Sequence, residues 1–131
     1  MFPSILYIKP LNFIRCFTAS EIPLRFIFNR KIRFIHAVGV VVGNRTKIAN
    51  GVQISSCVTL GHKSITNKQM PTIESNVYIG SGARVLGNVT IGHDSVIGAN
   101  AVITKDVQPY STVVGYNIVI NKSINKNEGG K

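Results

Sequence analysis

From Val42 onward a large aliphatic residue recurs at every sixth position: Val42, Ile48, Ile54 and Leu60, then, after an interruption, Ile73, Ile79, Val85, Ile91, Ile97 and Ile103. Helices repeat at about 3.6 residues and strands at about 2, so a period of six belongs to neither. A second column lies four positions after the first: Thr46, Val52, Val58, Val77, Ala83, Val89, Ser95, Ala101 and Val107, all small or β-branched. The residue just after the first column is usually small, as at Gly43, Ala49, Ser55, Gly61, Gly80, Gly92 and Gly98.

Two fixed columns predict a triangular coil. Each hexad supplies a short strand and a corner, and three hexads close one turn of about 18 residues. Coils stack at the inter-strand spacing of roughly 4.8 Å. The expected architecture is therefore all-β, a parallel β-helix that buries a core only by stacking. Gly after the large aliphatic, and Asn at Asn44, Asn50, Asn76, Asn88 and Asn100, are expected to take the left-handed backbone of the corners. The alternation in VYIGSGARV would also suit a β-sandwich, but a sandwich does not explain two columns in fixed register.

The breaks in the pattern divide the chain. Residues 61–72, GHKSITNKQMPT, are polar and out of register, which predicts a loop leaving a corner. Pro109 ends the repeats, 111–120 (STVVGYNIVI) reads as a closing strand, and 125–131 (NKNEGGK) reads as a disordered tail. Residues 1–35 form a basic, aromatic N-terminal segment, and 24–41 can add a degenerate coil. Residues 36–116 form the repeat domain, and 117–131 the strand end and tail. Three to four coils make a small core, so an oligomer is expected, and triangular prisms suit three-fold symmetry.

Charge narrows the partners. Fifteen Lys and Arg face five acidic residues, giving a net charge of +10, which suggests a polyanionic ligand. Eight of the basic residues lie in the first 47 positions, interleaved with Phe and Tyr, superficially like an RNA-binding or membrane-surface arm. The plainer reading is an N-terminus packed in an oligomer or poorly ordered, with no nucleic-acid partner. Cys16 and Cys57 have no metal-type spacing and form no disulfide framework, so they are read as reduced thiols of a cytoplasmic protein. The apolar start is broken by Pro3, Lys9 and Pro10, making a poor signal peptide, and no apolar run is long enough to span a membrane.

The columns resemble the hexapeptide pattern of left-handed β-helix acyltransferases. Residues 36–43, HAVGVVVG, and 52–61, VQISSCVTLG, resemble the catalytic-histidine segment and the next coil of serine acetyltransferases. Residues 77–87, VYIGSGARVLG, and 96–107, VIGANAVITKDV, resemble the coenzyme-binding half of the wider superfamily. The resemblance implies a left-handed coil, a trimer with the active site in the groove between adjacent prisms, and acyl transfer from acetyl-CoA to a hydroxyl or amine. It also implies cofactor contacts at Ser81, Ala99, Thr104 and Lys105, with Lys105 available for a phosphate and no metal required.

Acyl transfer to an alcohol needs a base for the hydroxyl proton, and imidazole suits that role. By resemblance His36 is the catalytic residue and His62, at the head of the loop, the second candidate. Counted in hexads, His36 falls six before Val42, so a regular coil would turn it inward. His93 beside Asp94 reads as a surface corner, and Cys57 as an ordinary corner position. Three features depart from the serine-acetyltransferase pattern. Ile35 stands where that group has Asp, Met70 replaces a second histidine, and the segment before the repeats is short for a serine-binding helical domain. The expected activity is therefore O-acetylation of a sugar hydroxyl in bacterial surface polysaccharide biosynthesis. Serine O-acetyltransferase and a non-catalytic β-helix for assembly or binding are the alternatives. A metal-dependent hydratase of the γ-carbonic-anhydrase type would need histidine ligands that the spacing of His36, His62 and His93 does not supply.

Overall fold

The computed structural model describes residues 18–122; the start of the basic arm and the expected tail lie outside the described residues. Among the described residues thirteen short strands wind around three faces. The first face stacks β1 (Arg33–Phe34), β4 (Gln53–Ile54), β7 (Tyr78–Ile79), β10 (Val96–Ile97), β12 (Ser111–Val114) and β13 (Ile118–Lys122). The second stacks β2 (Val41–Val42), β5 (Thr59–Gly61), β8 (Arg84–Leu86) and β11 (Val102–Ile103). The third stacks β3 (Lys47–Ile48), β6 (Thr72–Ile73) and β9 (Thr90–Ile91). Every pairing is parallel except β12 with β13.

Both columns point inward. Ile54, Leu60, Ile79, Val85, Ile91, Ile97 and Ile103 are fully buried, as are Val52, Val58, Val77, Ala83 and Ala101 from the second column. The columns stack in register, for example Ile54 on Ile79 and Ile79 on Ile97. Ile48 is the partial exception, packed at the edge of the core. The apolar area removed from water, at about 25 cal/mol per Å², is the main stabilising term of such a coil.

The corners follow the sequence expectation at Asn76 and Asn100 but not at Asn44, Asn50, Asn88 or the glycines after the large aliphatics. The left-handed positions belong mostly to Cys57, Asn76, Asp94 and Asn100, with Gly51, Gly82 and Gly87. The glycines after the large aliphatics keep ordinary backbone angles; at Gly80, Gly92 and Gly98 it is the next coil that leaves no room for a side chain. A Cβ on Gly80 would lie 2.7 Å from the Ala99 backbone nitrogen.

The two ends depart from the repeat. At the N-terminal end Glu21 bridges Val41, Ile22 is buried above the second face, and α1 (Leu24–Ile27) stands before β1 in place of a regular hexad. The single closing strand expected over 111–120 is instead a hairpin. Gly115 and Asn117 take positive φ, turning β13 back antiparallel on β12.

Candidate active site

The three faces meet at three corners, and each histidine occupies a different one. His36 lies at the first corner, between the first and second faces, and is exposed. Its inward expectation fails because Phe34 takes the core column, paired with Ile54. Eight residues separate Phe34 from Val42, where six separate Ile54 from Leu60, and the surplus pushes His36 out into a bulge. Ser20 braces that bulge. Its hydroxyl donates to the Ala37 carbonyl at 2.7 Å and accepts from the Val40 N–H at 3.1 Å. The Gly39 N–H donates to the Thr18 carbonyl at 3.1 Å. Ser20 precedes the repeats, so no periodic signal marked it.

Ser56, Ser81 and Ala99 follow along the same corner. The Gly82 N–H donates to the Ser56 carbonyl and the Asn100 N–H to the Ser81 carbonyl, both at 2.9 Å. The Ser56 and Ser81 hydroxyls are 3.2 Å apart, and Ser81 and Ala99 are exposed. The first corner is thus a rigid ladder with His36 at its head. Cys57 is exposed on that ladder, with its Sγ against Gly39.

Thr104 and Lys105 lie instead on the second corner, between the second and third faces, with His62. Thr104 is tied down: its N–H donates to Asn117 Oδ1 at 2.8 Å, and Asn117 Nδ2 donates to its hydroxyl at 2.9 Å. Lys105 is exposed beside it. His62 lines a cavity of about 510 Å³ with Glu21, Val41, Gly43, Gly61 and Met70. The Met70 sulfur packs so closely on Gly43 that a Cβ there would lie 2.5 Å from it. One chain therefore brings His36, Ser81 and Ala99 onto one edge of the second face, and His62, Thr104 and Lys105 onto the other.

His93 belongs to the third corner. Its N–H donates to Glu74 at 2.8 Å, its ring pairs with Asp94 at 2.8 Å, and it meets Tyr110 edge-on at 4.9 Å. These contacts give it a packing role in the corner. Among the described residues no group of three His, Cys, Asp or Glu side chains is arranged so that it could hold a metal ion.

The bacterial transferase hexapeptide family, built on six repeats, matches residues 70–105. A serine acetyltransferase of Mycobacterium tuberculosis is 41% identical over 105 residues, which cover 79% of this chain and 46% of the relative. The β-helix belongs to the hexapeptide-repeat transferase family. A Helicobacter pylori serine acetyltransferase is 40% identical over 77% of this chain and 60% of its own length. Among solved structures, the Brucella abortus serine acetyltransferase in complex with coenzyme A matches at TM-score 0.67 and 35% identity, over 70% of this chain and 38% of that one. The Entamoeba histolytica serine acetyltransferase isoform 3 in complex with cysteine matches at TM-score 0.66 and 34% identity, over 88% and 41%. This hexapeptide-repeat chain has the left-handed parallel β-helix of those neighbours. It spans about half the length of the curated relatives it matches.

Proposed function

We propose that this chain is an acetyl-CoA-dependent O-acetyltransferase, working in the cytoplasm, with serine as the acceptor that its relatives favour. The supporting observation is the exposure of His36 at the head of the corner that also carries Ser81 and Ala99. In this reading acetyl-CoA supplies the activated acetyl group. Ser81 and Ala99 line its pantetheine arm, and Lys105 meets a phosphate. His36 takes the proton from the acceptor hydroxyl as that oxygen forms the new ester bond, and passes it to the departing sulfur. Ser20 holds the bulge in which the imidazole sits.

The two half-sites lie on opposite edges of the second face, so the reading requires a neighbouring prism to bring them together, as in a three-fold oligomer. The groove then has His36 on one wall and the His62–Met70 cavity on the other. Two observations favour further readings. Met70 and Ile35 in place of polar residues of the serine acetyltransferases keep a sugar hydroxyl open as the acceptor. Glu21 and His62 line the same cavity, which makes His62 the second candidate for the base.

The test is calorimetric binding of coenzyme A, followed by thiol release from acetyl-CoA with serine, neutral hexoses and oligosaccharides. Coenzyme A binding and release stimulated by serine are expected; release with hexoses alone would favour the sugar reading. Absence of coenzyme A binding would remove the enzyme reading altogether.

A further inference from the structure

Beside the His62 cavity lies a second one of about 360 Å³, lined by Arg45, Lys47, Lys68, Met70, Thr72 and Asn88 among others. Met70 belongs to both walls, so the two cavities adjoin across its side chain. The cations come from three separate elements: Arg45 from the second corner, Lys47 from β3 and Lys68 from the 61–72 loop. All three are exposed, and among the described residues no carboxylate lines the space.

The acids among the described residues sit elsewhere. Glu74 accepts from the His93 N–H, Asp94 pairs with His93, and Asp106 accepts from the Thr90 N–H at 2.8 Å. Glu21 sits in the neighbouring cavity. Other cations have protein partners: Arg25 bonds Asn44 and the Thr46 carbonyl and lies over the Phe26 ring, and Arg84 bonds Thr59. A single surface lysine is ordinarily just solvated. Three cations crowded into one concavity without a counter-charge repel one another and concentrate positive potential there.

We infer that this cavity is an anion subsite for the acceptor: it holds the phosphate or carboxylate of an acidic hydroxyl-bearing substrate. The hydroxyl then lies over the Met70–His62 cavity. This rests on the acetyl-transfer reading. Its three cations can hold the carboxylate of serine and, through several charge-assisted bonds at once, the phosphate of a sugar phosphate, the sugar acceptor kept open by Met70 and Ile35.

The test uses the full chain and glucose 1-phosphate, glucuronate and glucose as probes. Titration calorimetry is run on wild type, on Arg45→Gln/Lys47→Gln/Lys68→Gln, and on the charge-keeping Arg45→Lys/Lys47→Arg/Lys68→Arg. Glucose 1-phosphate should bind wild type, and its affinity should fall about tenfold or more in the Gln variant. The charge-keeping variant should retain binding, and glucose should not bind. The same dependence with glucuronate alone supports the subsite with a carboxylate as its anion. Coenzyme A affinity should be equal in all three proteins. A parallel loss of coenzyme A binding would assign the cavity to the cofactor's phosphates and overturn the inference. So would equal binding of both anions by the wild-type and Gln proteins. If anions bind as expected but no acceptor stimulates thiol release, the acetyl-transfer reading fails and the anion site stands.

Discussion

Thr46 is the one described side chain with a buried polar atom and no partner: its hydroxyl is turned into the second column of the core. Val occupies the same column at Val52 and Val58 without difficulty. Thr46→Val should therefore stabilise the coil by about 1 kcal/mol, because an unsatisfied buried hydroxyl is removed at nearly constant shape. Thermal unfolding would register this as a rise of several degrees; a fall would mean that the hydroxyl has a partner in the assembled protein. At this scale the sequence was legible wherever packing repeats. The inward columns could be read because the same contact recurs in every coil. His36 could not be oriented by counting, since the two extra residues before Val42 leave no periodic trace. The glycine corners were misread for a related reason. A sequence shows a small residue, but not whether backbone angle or the coil above demands it.

At the scale of elements, the hairpin after β12 acts on the candidate site. Asn117 takes positive φ and uses both ends of its amide on Thr104, next to Lys105. Asn117→Gly keeps the turn but removes both side-chain bonds, so it isolates their contribution. It should cost about 1–3 kcal/mol and speed hydrogen exchange at the Thr104 amide, with weaker coenzyme A binding through a looser Lys105. Unchanged exchange would show that the turn alone holds the segment. The segment 111–120 was expected as one strand because its apolar run outweighs a Gly and an Asn spaced two apart. The 61–72 loop was legible as an interruption of the hexads. What its residues build was not, because Lys68 and Met70 meet Arg45 and Lys47 only once the coil closes.

At the scale of the molecule, the candidate residues divide between two edges of one face. A period of six predicts that corners stack but does not say which catalytic candidates share a corner. Thr104 and Lys105 follow Ser81 and Ala99 closely in sequence yet lie one corner further round. The proposed site is thus completed by a second prism. The unneutralised cations Arg45, Lys47 and Lys68 then lie beside its acceptor side. In the proposed reading this cavity and Lys105 would account for part of the basic balance of the chain.

The most direct measurement is thiol release from acetyl-CoA, with an acceptor that wild type uses, by wild type, His36→Ala and His62→Ala. His36→Ala should lose activity by about 100-fold or more, as expected for removal of a general base, while still binding coenzyme A. His62→Ala should retain most of its turnover. Full activity in His36→Ala together with loss in His62→Ala would contradict the account and move the chemistry to the Glu21–His62 cavity.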